Sequence, residues 1–292
     1  MKFGYLSHND AEGIRPDHLA VELEARGFDS IWMPEHSHIP VDRKTPYPAG
    51  GELPSSYYRM MDPLISLMAA AQASKSIELF TGICLVHEHD VLDLACAAAT
   101  LDVLSNGRFH LGIGVGWNEE ELANHRPDLP FKMRYSAMRE RVAALRTCWQ
   151  DEVASYDGQW DSFTDSYVYP KPVNGSVPVS LGNAGPVGIK HAAEYADEWC
   201  PIDAGMLNTT GKPDVAGAIA LFRQLATEAN RDPDDIPITI HSFKVNPERF
   251  EQYAELGVER IVLFPPSMDV TSTDGTLTHL DMLATEVIEK MG

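Results

Sequence analysis

The sequence runs to 292 residues, 44% of them hydrophobic and 23% charged, with 43 acidic side chains against 23 basic ones for a net charge of −20. That balance argues against nucleic acid and anionic membrane surfaces as partners, since both need a basic face, and leaves a small molecule as the expected partner. A chain this long can bury a core that needs no disulfide or metal staple.

Cys84, Cys96, Cys148 and Cys200 form no C-x-x-C pair and sit in apolar sequence. They are expected as buried free thiols of a reducing, cytoplasmic compartment. The start of the chain is too polar and short for a signal peptide, and the charge-free stretch 63–74 is too short to span a bilayer.

Short β-branched or apolar runs then alternate with helical patterns. Residues 2–7 read as a strand and 16–26 as an amphipathic helix stopped by Gly27. Strand two is 28–34. Helix 63–74 leads to strand three at 77–86, and helix 91–105, closed by Asn106-Gly107, leads to strand four at 108–114. A long helix at 134–149 follows. Strand five is 177–181 with helix 186–195, strand six 198–202 with helix 214–229, strand seven 236–241 with helix 247–256, and strand eight 258–264 with helix 277–290.

Eight strands in strict alternation with eight helices, and no polar linker between halves, predict one (β/α)8 TIM barrel over residues 1–292. Two segments break the rhythm. Residues 36–61, after strand two, fall at the face where barrels carry their chemistry and are expected to shape the pocket. Residues 151–175, before strand five, are expected at the opposite or lateral side, as a strand-like insertion or an interface element.

The C-terminal ends of the strands carry His8, Glu35, His36, His38, His87, His89, Asp203 and His241, a concentration expected of a functional face. In the strand-five turn Gly182-Asn183-Ala184-Gly185, glycines precede a helix that opens on Pro186. This is either an ordinary tight turn or a ready phosphate site at a helix N-terminus. Strand four has glycine at every second position, Gly112, Gly114 and Gly116, so all three share one face. Either the barrel packs closely there or the face leaves room for something flat and bulky.

Metal chemistry has weak support. His36-x-His38 and His87-x-His89 look like ligand pairs, but strand one offers only His8, and there is no H-E-x-x-H or cysteine metal motif, so no metal is expected. There is no G-x-S-x-G elbow for a serine nucleophile. Lys244, the nearest candidate for Schiff-base chemistry, lies past its strand.

The stretch Thr100-Leu101-Asp102-Val103-Leu104-Ser105-Asn106-Gly107-Arg108, leading into Leu111-Gly112-Ile113-Gly114-Val115-Gly116-Trp117, resembles the luciferase-like monooxygenase family, especially its branch using coenzyme F420, a deazaflavin. Residues 25–32 with Glu35-His36, residues 77–83 and residues 169–186 are similar to the same family. The resemblance runs from Met1 to about Leu263.

It implies a (β/α)8 barrel, often a homodimer, acting as an oxidoreductase with F420, or alternatively FMN, at the strand C-termini. Gly182, Asn183, Ala184 and Gly185 would hold the cofactor phosphate. Gly114, Gly116 and Trp117 would lie along the cofactor. Gly82 and Ile83 sit where members carry a non-proline cis peptide behind the ring, and Glu35 and His36 match the pair that handles the proton.

Two positions depart from the pattern: His89-Asp90 stands where many relatives have His-Pro, and Asn183 where glycine is common. Arg43, Lys44, Arg59, Lys132 and Arg134 are candidate contacts for an anionic cofactor tail. An FMN monooxygenase, a barrel metallohydrolase and a non-catalytic deazaflavin-binding protein are the other readings.

Overall fold

The computed structural model describes residues 1–208, 210–265 and 272–291, so the remaining positions of the expected 1–292 span lie outside the described residues. Strands β1 (Lys2–Leu6) and β2 (Ser30–Met33) flank helix α1 (Pro16–Ala25). Helix α2 (Pro63–Ala73) precedes β3 (Glu78–Thr81) and the short β4 (Cys84–Leu85). Helix α3 (Val91–Leu104) precedes β5 (Phe109–Gly114), and α4 (Glu119–His125) and α5 (Arg134–Gln150) follow.

A hairpin, β6 (Ala154–Asp157) and β7 (Ser162–Ser166), leads to β8 (Val179–Leu181), α6 (Pro186–Tyr195), β9 (Glu198–Trp199) and α7 (Val215–Glu228). Then come β10 (Thr239–Ser242), α8 (Pro247–Glu255), β11 (Arg260–Leu263) and α9 (Thr273–Leu283), which a π turn carries into α10 (Glu289–Met291).

The parallel sheet runs β10-β11-β1-β2-β3-β5-β8-β9, with β4 also on β5. Bridges between Trp199 and Ile238 and between Ile202 and His241 close its two ends into the expected barrel. The interior is filled rather than hollow. Trp32 stacks on Phe80 at 3.9 Å between ring centroids, and Phe80 on His110 at 4.2 Å. Beside them the buried Arg260 lies 3.5 Å from Glu198, whose carboxylate also accepts from Ser180 and Thr239. A charge this deep is tolerable because its two terminal nitrogens face carboxylates, Glu78 and Glu198.

The expected third strand, 77–86, is broken in two. From Phe80 paired with His110 to Cys84 paired with Ile113, the β3–β4 segment advances four residues while β5 advances three. One extra residue makes a bulge, and the non-proline cis bond expected at Gly82–Ile83 lies in it. The sixth strand shrinks to two residues, helix α4 was not foreseen, and the last helix starts at Thr273 instead of 277.

The segment 151–175 does form strands. They fold back laterally along α5, where Glu140 accepts from the Gln159 and Asp161 amides, and Arg141 and Asp161 pair at 2.7 Å. Cys84, Cys148 and Cys200 are buried as expected, but Cys96 is exposed. Its neighbours on α3 are apolar because that helix is alanine-rich, and the Cys96 thiol faces outward, donating to the Tyr169 carbonyl. Among the described residues, no helix is long and apolar enough to cross a membrane.

Candidate functional site

A cavity of about 470 Å3 opens at the C-terminal ends of the barrel strands. Glu35, His36, Gly82, Ile83, Gly116, Trp117, Gly182 and Asn183, all expected at the site, line it. Gly114, Ala184 and Gly185 do not. Gly114 is covered, since a Cβ there would stand 2.0 Å from Ile83 Cδ1. Ala184 and Gly185 are not part of its lining, Gly185 being exposed as the N-cap of α6.

The glycines of β5 therefore serve their neighbour strand before any ligand. A Cβ on Gly112 would stand 2.1 Å from the Thr81 carbonyl, and a Cβ on Gly182 would stand 2.9 Å from Ile83 Cγ2. The missing side chains form a notch into which the bulge is pressed, and Ile83 becomes one wall of the cavity. Of the three alternate glycines, Gly116 alone lines the cavity.

His36 sits between two partners. Its Nδ1 lies 2.7 Å from Glu121 Oε2, and the Trp117 indole N–H donates to its Nε2 at 3.3 Å. A carboxylate only accepts and an indole only donates, so together they place the proton on Nδ1 and a lone pair on Nε2. Glu121 is almost fully buried, and its Oε1 takes no hydrogen bond.

Glu35 is occupied differently. Its Oε2 accepts from the Leu85 amide at 2.6 Å and its Oε1 pairs with His89 Nε2 at 2.8 Å. Burial works against a charge on His89, but the Glu35 carboxylate more than offsets this and raises its pKa. Glu35 thus ties the strand after the bulge to His89. The Glu35, Cys84 and His89 donor atoms lie within 4.8 Å of one another, a spacing that could hold a metal ion. The carboxylate, however, already has protein donors, and burial pushes the Cys84 thiol well above its ordinary range, away from the thiolate a metal needs.

His89 also faces a second cavity of about 410 Å3, walled by His87, Glu88, Arg141 and the Trp160–Asp161 turn of the hairpin. Burial, together with the Glu121 and Glu35 carboxylates, pushes Glu88 up to about 9. Burial lowers His87 to about 4 and, on the main cavity wall, His241 to about 3, so both are neutral near pH 7.

Of the five candidate cations, Arg134 lines the main cavity. Its guanidinium lies 3.8 Å over the Phe131 ring, Nη1 donates to the Phe131 carbonyl, and the buried Nε has no partner. Arg43 sits over Trp117 at 5.4 Å, Arg59 pairs with Asp10 at 2.7 Å, and Lys44 and Lys132 are exposed. Elsewhere on the lining, Asn183 Nδ2 is also buried without a partner.

Sequence reasoning missed Glu121 and the aromatic wall of Tyr47 and Tyr57. Glu121 belongs to the run Glu119-Glu120-Glu121, which reads as a solvated first helical turn. No local signal marks the one that turns inward.

A closed β/α barrel with a bulged, glycine-notched wall and a histidine–carboxylate pair facing one cavity defines the class of protein. Residues 6–260 match the model of the luciferase-like monooxygenase family, and the chain belongs to that family. An uncharacterized protein of Mycobacterium tuberculosis is 34% identical, over 98% of this chain and 99% of its own. The F420-dependent glucose-6-phosphate dehydrogenase of Amycolatopsis mediterranei is 28% identical, over 82% of this chain and 68% of its own. The coenzyme F420 dependent tetrahydromethanopterin reductase from Methanopyrus kandleri superposes with a TM-score of 0.76 at 18% identity, covering 100% of this chain and 99% of that one.

Proposed function

We propose that this chain is an oxidoreductase that transfers a hydride between coenzyme F420 and a small organic substrate, with His36 handling the accompanying proton. The observation that carries the reading is the His36–Glu121 pair, set in one cavity with the Ile83 wall. The names of the F420-dependent relatives support it.

The residues present fit the group. The cavity size lies in the usual range for a ligand site. Ile83, Val115 and Leu85 offer an apolar wall, and two buried polar atoms, Arg134 Nε and Asn183 Nδ2, await an acceptor. The N-terminus of α6, capped by Gly185 with no side-chain hydrogen bond, adds free backbone N–H groups at the rim, suited to a phosphate.

When bound, the deazaflavin supplies the carbon that gives or takes the hydride. Oxidising an alcohol releases a hydride and a proton, and reducing a carbonyl consumes both, so a proton-transfer group must stand beside the reacting atom. The His36 Nε2 lone pair, held by the Trp117 indole at 3.3 Å, takes the proton when the substrate's polar group displaces that long contact, and the Glu121 carboxylate favours the imidazolium that results. Glu35, with both oxygens occupied, positions the wall and leaves the transfer to His36. The same reading takes residues 1–292 as one barrel domain of a cytoplasmic homodimer.

The test is a parallel titration of the purified protein with F420 and with FMN, following tryptophan fluorescence. Saturable quenching by F420 alone is expected. Preference for FMN, or binding of neither, overturns the proposal.

A further inference from the structure

Beyond the cofactor, the end of the cavity around His36 has its own chemistry. Four rings meet there. His36 lies 5.0 Å from Tyr57 and 5.7 Å from Trp117, and Tyr47 lies 5.5 Å from Tyr57 and 5.9 Å from Trp117. All these contacts are tilted or edge-on, so the rings form the sides of a box. Tyr47 and Tyr57 come from the segment after β2, while His36 and Trp117 come from the ends of two barrel strands.

We infer that this box takes an uncharged, largely apolar organic substrate, in place of a phosphorylated sugar or a cation. The inference rests on the proposed function, because it takes the substrate to react beside His36.

An anionic group finds nothing to pair with. Among the described residues, Arg134 is the arginine or lysine that lines the cavity, and it stacks on Phe131 and has its free Nε for the cofactor's phosphate. Two other candidate cations are engaged: Arg59 is held by Asp10 and Glu12, and the Arg43 guanidinium lies over the Trp117 ring and donates to the Thr45 carbonyl. The buried Glu35 and Glu121 carboxylates stand just behind the box, so a phosphate dianion would lose its hydration and meet like charge.

A cation fares no better. Aromatic boxes do attract cations, but the Trp117 face that would hold one is already taken by Arg43. Glu121 Oε2 and Glu35 Oε1 each already face a histidine, which takes up much of their pull on a further cation. What remains favourable is the burial of apolar surface against rings, with one polar group of the substrate at His36 Nε2.

The experiment uses three probes built on a six-membered ring and differing in charge: 2-cyclohexen-1-one, glucose 6-phosphate and cyclohexyltrimethylammonium. Each is titrated by ligand-observed NMR into the F420-loaded protein and, separately, into the cofactor-free protein. The enone is expected to bind most tightly. Tyr57→Ala should weaken it about fivefold, as loss of an aromatic contact does, and Tyr57→Phe should restore it, with F420 affinity unchanged in both variants.

Tighter binding of glucose 6-phosphate or of the ammonium probe overturns the inference, as does enone binding that is absent or indifferent to Tyr57→Ala. Failure of F420 to bind would sink the proposed function alone, since the cofactor-free titrations still read the box.

Discussion

The Ile83 side chain fills the space that Gly114 leaves open: a Cβ on Gly114 would come within 2.0 Å of Ile83 Cδ1 and 3.2 Å of Cγ1. Gly182 forms the other side of the same notch. The wall of the cavity is thus shaped by what two strands lack. Gly114→Ala is expected to cost about 1–3 kcal/mol of stability, the usual range for overpacking. Adding Ile83→Ala should return part of that loss, because the added methyl group then has room. Denaturant melts of the two single variants and the double variant check this. Strictly additive losses would mean that the two residues do not share the space.

His36 and Glu121 act as a pair. With F420 and a turned-over substrate, His36→Ala should lower kcat by roughly 10²–10⁴-fold, the span for a general acid or base. KM should rise a few-fold because a ring of the box is lost, and cofactor affinity should change little. Glu121→Gln can still accept a hydrogen bond from Nδ1 but no longer favours an imidazolium. A loss of about tenfold in kcat is expected there, smaller than that for His36→Ala. Unchanged turnover in His36→Ala would remove it from the mechanism.

Glu35 differs from its neighbour because both its oxygens already serve the protein. Glu35→Gln turns one acceptor into a donor, so either the Leu85 amide or His89 loses its partner. A stability loss of about 1–3 kcal/mol follows from one unsatisfied buried group. Thermal and denaturant melts measure it. A Glu35→Gln protein as stable as the wild type would mean that the Leu85–Glu35–His89 tie does not hold the wall.

Stability should depend on pH in a way that a Glu88 variant reveals. Its pKa rises on folding from the ordinary 4.5 to about 9, so the folded state holds a proton that the unfolded state has lost. Between those values stability falls as pH rises. His87 and His241 behave oppositely. Their folded pKa values drop from 6.5 to about 4 and about 3, so their contribution is present above 6.5 and is lost as pH falls towards those values. Above pH 6.5 the Glu88 contribution declines alongside that of His89, whose pKa is raised, so Glu88→Gln should lessen, without abolishing, the fall in melting temperature between about 6.5 and 9. A wild-type limb and a variant limb of equal slope would show that Glu88 ionises freely in the folded protein.

Much of this was legible along the chain. The alternation of strand and helix patterns is local, since each element needs only its own period and its own stop signal, as with Gly27 after α1 or Asn106-Gly107 after α3. The barrel then follows from the count of repeats. Strand ends are also local, which is why Glu35, His36, Trp117 and Asn183 could be placed at the cavity before any contact was known. The break in the third strand was legible only through family likeness, because residues 77–86 have an unbroken apolar pattern.

What the fold alone decided depends on distance through space. Glu121 is one of three successive glutamates, and only the packing of α4 turns it towards His36, 85 residues away. Gly114 looked like a ligand's neighbour and proved to be the seat of Ile83, because its open face is covered by a bulge on another strand. Tyr47 and Tyr57 stand in a segment with no period, and they become a binding surface only where Trp117 completes the box. The local sequence therefore determined which elements form and which face holds the chemistry. Tertiary packing chose the partners, since a side chain's charge, tautomer and exposure depend on neighbours that the order of residues does not bring together.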